Sequence, residues 1–519
     1  MTPSTIGPPG SLTCWQAPAT TGASAISWEE ATLAFGLVEP LTGMFGHAAA
    51  WGDVNGDDRP DLVVGTFATR NPDAYLERGA EGPSPDVLLF GGEPFDRVAG
   101  FSDLLGRTSA SVFADLDQDG DLDLVLVRNA GNDTGSLPRS QVFVNQDGQL
   151  SPATDLPFPE DFSGRSVAVA DFDLDADLDL AVAEDRFGES GTRLLFNQGG
   201  LVFVDVTDQS GLPSKLFGLG LAAADLTGDK APDLFVGGAQ QLFVNQGDGT
   251  FRLADSEAFE WLPTGDEDDV AAVAIADVDR NGWPDILIGH HFNSTINQDR
   301  PAPVRLFLHQ GLHAGGDPVF EESTDESGLS ALPTKAPHVE VVDLDNDGWP
   351  DILTTASAED GELLAVFRNQ GLADGIPRFE APRGLGDPQY WVAGPTADVD
   401  RDGRVDVFLV EWEPSLPSRL LRNTSTGGHW LEVSVDGANT GVGSTVTLYP
   451  AGALGEPGAA IGFQEIGVGV GYGAGRQPFA HFGLGEAERV DIVIEFPGGA
   501  RFELLAVDAD QHLRWPNGC

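Results

Sequence analysis

The chain has 519 residues, enough for a large core and for more than one domain. It carries 82 acidic residues against 28 lysines and arginines, which gives a formal net charge of −54. That charge argues against nucleic acid and anionic membrane surfaces as partners, because both are bound through a basic face. It favours metal cations as ligands, or adaptation to a saline habitat.

The two cysteines, Cys14 and Cys519, stand at opposite ends of the chain. They lack CxxC spacing, so neither a zinc site nor a thioredoxin-like motif is expected. Two alternatives stay open: a disulfide bond that joins the terminal regions in an oxidising compartment, or two free thiols. No apolar run approaches the length of a membrane span, and no signal-peptide core follows Met1, so we expect any export signal to have been removed.

A nine-residue acidic pattern recurs seven times between residues 53 and 406 and predicts a metal-binding loop in each copy. Oxygen-bearing side chains occupy positions 1, 3, 5 and 9, the spacing with which a loop wraps a hard cation. The candidate ligands, copy by copy, are Asp53, Asn55, Asp57 and Asp61; Asp115, Asp117, Asp119 and Asp123; Asp171, Asp173, Asp175 and Asp179; Asp225, Thr227, Asp229 and Asp233; Asp277, Asp279, Asn281 and Asp285; Asp343, Asp345, Asp347 and Asp351; and Asp398, Asp400, Asp402 and Asp406.

One such copy alone is also compatible with a solvated acidic turn. Seven copies whose first aspartates are 62, 56, 54, 52, 66 and 55 residues apart are not a chance series. Position 6, where the chain needs a positive φ, is Asp58 in the first copy and Ala176 in the third instead of glycine. The fourth copy is the weakest, because Thr227 replaces an acid and Lys230 brings an ammonium group beside the site. We expect Ca²⁺ in up to seven loops, with a structural role.

Each copy lies between two short apolar strands, and a third and a fourth strand follow. The third strand ends in Asn-Gln-Gly or a related sequence, which is hairpin-turn chemistry, and the fourth begins with Phe. Four antiparallel strands in every 50–65 residues indicate a seven-bladed β-propeller over residues 21–426, after an N-terminal tail at 1–20. The seventh copy lacks its fourth strand, and the segment Ser27–Thr32 is predicted to supply it and close the ring.

Residues 427–519 contain no aspartate loop and read as alternating strands around a glycine-rich run at 466–473. This pattern predicts a small antiparallel β-sandwich packed against the propeller. The fold class is therefore all-β.

The repeats resemble the FG-GAP/VCBS repeats of calcium-bearing propellers, including the integrin α-chain head. The C-terminal segment resembles an ASPIC/UnbV domain, through Gly428-His-Trp-Leu431, His481-Phe-Gly-Leu-Gly485 and Pro497-Gly-Gly499. The two occur together in the cartilage acidic protein family. This resemblance implies a secreted, surface-exposed or periplasmic protein that works in adhesion or interaction.

Ligand binding is expected on the propeller face opposite the aspartate loops, with a protein or a glycan as the ligand. The residues predicted to lie there are Arg128, Asn129, Glu184, Asp185, Arg186, His290, His291, Glu411 and Trp412, with His47, Arg165, Phe217, His338, Tyr390 and Trp391. Ordinary loop composition explains the same residues. The alternative is a lectin or a carbohydrate-active lyase or hydrolase, with His290 and His291 near Glu184 and Glu411 as an acid–base set. We expect no enzyme, since no G-x-S-x-G, H-E-x-x-H or P-loop pattern is present.

Overall fold

A computed structural model of the chain describes residues 26–516, except 70, 81, 103, 131–137, 186–187, 256, 260–268, 292–301, 330, 333–336, 357–365, 381, 383–390, 413–417, 437 and 457. The predicted tail at 1–20, the Cys14–Cys519 pair, Arg186 and Tyr390 lie outside the described residues.

The chain folds into seven four-stranded antiparallel sheets, the blades of a propeller, followed by a smaller β-domain. From inner to outer strand, blade one comprises Gly46–Gly52, Asp61–Thr66, Val87–Phe90 and Asp96–Arg97; blade two Thr108–Ala114, Asp123–Arg128, Gln141–Gln146 and Gln149–Asp155; blade three Gly164–Ala170, Asp179–Glu184, Arg193–Asn197 and Phe203–Asp205; and blade four Leu221–Ala224, Asp233–Val236, Gln241–Asn245 and Phe251–Leu253. Blade five comprises Asp269–Ala276, Asp285–His291, Arg305–Leu312 and Pro318–Glu322; blade six Val339–Val342, Asp351–Thr354, Val366–Ala373 and Ile376–Glu380; and blade seven Thr396–Ala397, Asp406–Leu409, Arg419–Asn423 and Trp28–Glu30.

Short helical and strand segments occupy the connections between these strands. They are the α-helices Val38–Leu41 and Pro72–Glu77, the 3-10 helices Gly237–Ala239, Glu257–Phe259 and Ala438–Gly441, and a two-stranded sheet of Ala302–Pro303 and Ala331–Leu332.

The ring closes between blades seven and one. Trp28 of the N-terminal strand pairs with Asn423, so the start of the chain supplies the outer strand of the last blade. Trp51 of blade one is fully buried and donates from its indole nitrogen to the Pro395 carbonyl oxygen of blade seven at 3.0 Å. Phe408 of blade seven meets the same indole edge-on, with ring centroids 6.2 Å apart.

Two sheets form the C-terminal domain and share one apolar core. One sheet contains His429–Val435, Phe479–Gly485 and Gln511–Trp515, and the other contains Thr445–Pro450, Gly462–Glu465, Arg489–Glu495 and Arg501–Asp508. The arrangement is the predicted sandwich, with one difference. The last strand runs parallel to the first, not antiparallel, with Leu431 beside Gln511.

The glycine-rich run does not stay in the sandwich; this corrects the prediction for residues 466–473. Residues 466–476, which we call the channel hairpin, leave the domain and enter the centre of the propeller. Strands Gly469–Val470 and Ala474–Gly475 pair with each other, and the second adds in parallel to Ala49–Ala50, the inner strand of blade one.

Glycine is required along this hairpin because backbone surrounds it on several sides. A Cβ on Gly473 would lie 2.8 Å from the Ser109 carbonyl oxygen of blade two, and one on Gly469 would lie 2.9 Å from that of Val167 in blade three. Gly471 bridges to Val273 of blade five. A segment that touches the inner strands of so many blades lies on the axis of the ring.

Candidate metal centres

The seven aspartate loops all connect the first and second strands of a blade, so they lie on one face of the propeller, the loop face. We number them loop one (53–61), two (115–123), three (171–179), four (225–233), five (277–285), six (343–351) and seven (398–406). The opposite side, where the second strand leads to the third, is the far face.

All seven loops share one backbone conformation, with left-handed residues at positions 4 and 6. At position 6 these are Asp58, Gly120, Ala176, Lys230, Gly282, Gly348 and Gly403, with φ between 66° and 95°. At position 4 they are Gly56, Gln118, Leu174, Gly228, Arg280, Asn346 and Arg401, with φ between 55° and 74°. The positive φ at position 6 follows from the pattern, but position 4 carries no consistent residue type that would have revealed it. Even the irregular loop four keeps this shape.

The aspartate at position 1 closes each loop by accepting backbone hydrogen bonds. In loop three, Asp171 accepts from the Asp175 amide at 3.0 Å and from the Ala176 amide at 2.9 Å. In loop six, Asp343 accepts in the same way from Asp347 and Gly348. The left-handed residue at position 6 turns its amide toward this carboxylate, so loop closure and ligand placement depend on the same residue.

The aspartate at position 9 connects its loop to the third strand of the blade. Asp179 accepts from the Phe172 amide at 2.9 Å and from the Asn197 amide at 2.8 Å, one on each oxygen. The corresponding two bonds form in all seven loops. A carboxylate oxygen has two lone pairs, so each oxygen can still contact an ion. Position 9 is therefore a structural brace as well as a candidate ligand.

The asparagine that ends the third strand links neighbouring blades. Asn245 of blade four donates from Nδ2 to the Phe172 carbonyl oxygen of loop three at 2.8 Å, and its Oδ1 accepts from the Gly247 amide at 3.0 Å. Asn145, Asn197, Asn369 and Asn423 reach the preceding loop in the same way, and His309 does so in blade five. The residue therefore stabilises the hairpin turn, as expected from the sequence, and it also forms a hydrogen bond to the neighbouring blade.

Five loops bring three carboxylates close enough to hold one metal ion. Their candidate ligand atoms lie within 4.8 Å of one another in five triads: Asp115, Asp117 and Asp119; Asp171, Asp173 and Asp179; Asp277, Asp279 and Asp285; Asp343, Asp345 and Asp347; and Asp398, Asp400 and Asp406. Loops one and four form no such triad of carboxylates among the described residues. In loop one Asn55 supplies an amide oxygen, and in loop four Thr227 supplies a hydroxyl.

The electrostatics of the triads fit a bound cation. Burial, with a smaller contribution from neighbouring carboxylates in the same loop, raises the pKa of Asp115 to about 6 and that of Asp179 to about 8. In loop two, Asp115 Oδ1 and Asp117 Oδ1 are buried without a hydrogen-bond partner among the described residues, and so is Asp400 Oδ1 in loop seven. Buried anionic oxygens without donors require a cation or a proton.

The C-terminal domain docks on loops six and seven. The Gly428 amide donates to the Asp345 carbonyl oxygen at 3.3 Å, and the Gly485 amide donates to that of Asn346 at 2.9 Å. A Cβ on Gly403 of loop seven would lie 2.0 Å from the indole nitrogen of Trp430. Gly428 and Gly485 of the C-terminal segment therefore allow direct backbone contact with loop six.

Loop four is held by the same domain through acidic side chains. Glu465 accepts a hydrogen bond from the Asp225 amide at 3.0 Å, and burial raises its pKa to about 8. Lys230 lies 3.7 Å from Glu495. Loop four thus differs from the five loops with carboxylate triads, because it contributes a lysine that pairs with the docked domain.

Most residues expected to form an open ligand site on the far face are buried instead. Arg128 pairs with Asp86 at 3.5 Å, and Glu184 accepts backbone hydrogen bonds from Ser163, Ser190 and Gly191. Asn129, Asp185, His290, His338, Trp391, Glu411 and His47 are buried as well, while Arg165, Phe217, His291 and Trp412 are half-buried. The sequence pattern assigned these residues to the far-face ends of the strands. It did not reveal that most of their side chains are buried and that some of them hold the far-face connections in place.

Among the described residues, no helix combines the length and the apolar character that crossing a membrane requires.

Comparisons with known families match both parts of the chain. A family model described as "FG-GAP-like repeat" matches residues 115–182, 237–288 and 343–409, and one described as "FG-GAP repeat" matches residues 45–73. A third, described as "ASPIC and UnbV", matches residues 435–517.

Similar curated proteins include cartilage acidic protein 1 of Homo sapiens, which is 28% identical over 359 residues, or 65% of this chain and 51% of the human protein. The Xenopus tropicalis protein is 27% identical over 367 residues, or 66% of this chain and 52% of its own length. The chain thus spans about half the length of the curated relatives it matches.

Solved structures similar to this one include a rhamnogalacturonan lyase of Bacillus licheniformis, with a TM-score of 0.40 and 13% identity over 72% of this chain and 71% of the lyase. The Dos1 propeller is another, with a TM-score of 0.34 and 10% identity over 75% of this chain and 86% of its own. The blades, the aspartate loops and the matched domains together show that the chain carries FG-GAP repeats with a C-terminal ASPIC/UnbV domain and is distantly similar to cartilage acidic protein 1.

Proposed function

We propose that this protein is a secreted, surface-exposed or periplasmic interaction protein, stabilised by Ca²⁺, that binds a protein or glycan ligand on the far face of its propeller. The observation that carries this proposal is the position of the C-terminal domain. It contacts loops four, six and seven on the loop face, and its channel hairpin occupies the axis of the ring. The far face is the side of the propeller that the domain leaves accessible.

Calcium is the ion that the loops suit best. Several carboxylate oxygens, backbone carbonyls and a flexible loop are the ligand set of Ca²⁺, whereas Mg²⁺ demands a stricter octahedron and retains water. The five triads are the strongest sites, and loop one can add three carboxylates and an amide oxygen. The ion would neutralise buried charge and hold the loop that braces each blade, so its role is structural.

The proposed location follows from the same chemistry. Calcium sites in extracellular modules are tuned to concentrations of about 10⁻⁴–10⁻³ M, which are found outside the cytoplasm. A net charge of −54 also keeps the protein soluble in a setting rich in cations.

We do not propose catalysis. Glu184, one of the two carboxylates suggested as an acid or base, is fully buried, and its side chain accepts hydrogen bonds from three backbone N–H groups. A general base must instead reach the proton that it abstracts.

Screening arrays of glycans and extracellular proteins tests the proposed function, with the whole protein in Ca²⁺ and two matched variants. Leu105 is 42% exposed on the far face, and Leu372 is 47% exposed at a hairpin on the loop side. We expect Leu105→Asp to weaken binding of the captured ligand and Leu372→Asp to leave it unchanged. Equal binding by both variants, or product release from a captured glycan, would overturn the proposal.

A further inference from the structure

Aromatic rings and cationic side chains converge at the far-face end of the channel. We call this group the channel mouth and define it by His47, Phe67, Arg107, Arg165, Trp412 and Tyr472. Five of these residues come from the propeller. Tyr472 comes from the tip of the channel hairpin, so the C-terminal domain contributes to the site from the opposite side of the ring.

The rings form a continuous platform. His47 stacks on Phe67 with centroids 4.2 Å apart and planes 7° apart. Trp412 meets both rings edge-on, at 5.5 Å from His47 and 5.4 Å from Phe67. Tyr472 approaches His47 at 5.5 Å. His47, Phe67 and Tyr472 are buried and form the floor, whereas Trp412 is half-buried and reaches the solvent.

Two arginines border this platform. The Arg107 guanidinium lies over the face of Phe67, 4.7 Å from the ring centroid, and Arg107 is half-buried. Arg165 pairs with Asp185 and donates to the Tyr472 hydroxyl at 3.5 Å. The pairing with Asp185 fixes the Arg165 guanidinium at the base of the mouth, and its side chain remains 18% exposed.

Two arginines lie near His47 although the protein as a whole is strongly acidic. Burial lowers the pKa of His47 well below its usual value, and Arg165, His291 and Arg107 lower it further. The hydrogen bond from His47 Nδ1 to the Ser109 carbonyl oxygen, at 3.2 Å, opposes this effect. Burial therefore keeps His47 neutral, and Arg165 and Arg107 are the charged side chains beside it.

This combination selects a ligand that is planar or ring-shaped on one side and anionic on another. A guanidinium binds a carboxylate through two parallel N–H donors, and a tryptophan beside it packs against the apolar face of a ring. A uronate sugar presents both features on one residue. An acidic side chain of a peptide presents the carboxylate without a rigid ring attached to it that could pack against Trp412.

We propose that the channel mouth binds the uronate residue of an acidic glycan, with Arg107 contacting the carboxylate and Trp412 the sugar ring. This inference rests on the proposed function, because it names the ligand class of the far face. Arg165 and Tyr472 hold the floor of the site in place. The net charge of −54 repels a polyanion at long range, so binding is strongest where salt screens the rest of the surface.

The test uses the whole protein in Ca²⁺ with short uronate oligomers and with the same oligomers converted to carboxyl methyl esters. We expect binding of the acid form and at least about tenfold weaker binding of the ester, since only the acid accepts charge-assisted hydrogen bonds. Arg107→Gln and Trp412→Ala should each weaken binding of the acid about tenfold or more, and Arg107→Lys by less than Arg107→Gln. Arg489→Gln, at an arginine whose side chain is 60% exposed on the C-terminal domain, should bind as the unchanged protein does.

Each other outcome has a distinct meaning. Equal binding of acid and ester, or no loss in Arg107→Gln, overturns the uronate inference. If uronates fail to bind but Leu105→Asp abolishes binding of another array ligand, the inference is wrong and the proposed function stands. If no ligand depends on the far face, the proposed function itself fails. Thermal melting of every variant identifies loss of folding, and Arg107→Lys remains informative if Trp412→Ala unfolds.

Discussion

Gly483 of the C-terminal domain lies against Asp343 of loop six, so closely that a Cβ on the glycine would fall 2.0 Å from Asp343 Oδ2. The same Cβ would lie 2.5 Å from the Asn346 backbone. The Asn346 backbone and the buried Asp343 carboxylate, a candidate metal ligand, leave no space for a side chain at Gly483, so the contact couples the docked domain to loop six. In this chain loops four, six and seven contact the docked domain, and every loop also braces its own blade.

Replacing Gly483 with Ala should therefore weaken docking and ion binding together. Overpacking of a close contact costs about 1–3 kcal/mol, and we expect a loss of that size in chemical unfolding with Ca²⁺ present. Gly498→Ala is the matched control, because a Cβ there meets nothing within 4 Å, and its change should stay within about 0.5 kcal/mol. If Gly483→Ala leaves the free energy of unfolding unchanged, the interface can accommodate the added methyl group and the proposed coupling is wrong.

Removing calcium should release the C-terminal domain from the loop face. Each ion that binds only the folded state stabilises it by about 2.7 kcal/mol at a free concentration one hundred times its dissociation constant. Excess chelator in low salt should lower the melting temperature and expose the linker between Asn423 and His429 to protease. Restoring Ca²⁺ should reverse both effects, and restoring Mg²⁺ should do so less well. Unchanged melting and protection in chelator would contradict the structural role.

The ion-free protein should become less stable as the pH rises. Burial raises the pKa of Asp61 and Asp123 to about 7 and that of Asp179 to about 8, whereas an unfolded aspartate titrates near about 3.9. The folded state therefore binds protons more tightly than the unfolded state, and the stability that these protons contribute is lost as the pH rises through 7–8. Ion-stripped protein should melt higher at about pH 5 than at about pH 8. With Ca²⁺ in place of the protons, that difference should shrink or change sign.

Seven loops, their spacing and the ring closure are readable from the sequence because a short motif with a fixed chemical requirement repeats at each blade. The path of the channel hairpin cannot be predicted in the same way. Gly469, Gly471 and Gly473 look like flexible-loop residues until inner strands from several blades are known to surround them. Burial of Glu184 and His338 was missed for a related reason, since a sequence shows where a loop starts but not which backbone amides its side chains will meet.

Loop four should gain an ion site when its two irregular residues are restored to the pattern. Thr227→Asp supplies the missing carboxylate at position 3, and Lys230→Gly removes the ammonium that lies 3.7 Å from Glu495 while keeping the left-handed conformation. The double variant should bind about one more Ca²⁺ per chain than the unchanged protein, measured by calorimetric stoichiometry. Thr227→Ser with Lys230→Gly is the control, because it removes the lysine without adding a charge. Equal stoichiometry in the two double variants would show that the introduced carboxylate does not coordinate the ion.

The bond between blades should contribute measurably to stability. Asn245 is buried, donates to the Phe172 carbonyl oxygen at 2.8 Å and to that of Pro232 at 3.2 Å, and accepts from the Gly247 amide. Asn245→Ala leaves these backbone groups without partners, at a cost of about 1–3 kcal/mol in chemical unfolding. Gln246→Ala, at the neighbouring exposed position, should change stability by less than about 0.5 kcal/mol.

A histidine at position 245 provides a second test, because His309 of blade five makes the equivalent bond to the Leu226 carbonyl oxygen at 2.9 Å. The variant Asn245→His shows whether histidine can replace asparagine in blade four. Partial rescue by histidine would support a bond across blades, and the same loss as in alanine would assign the effect to the turn alone.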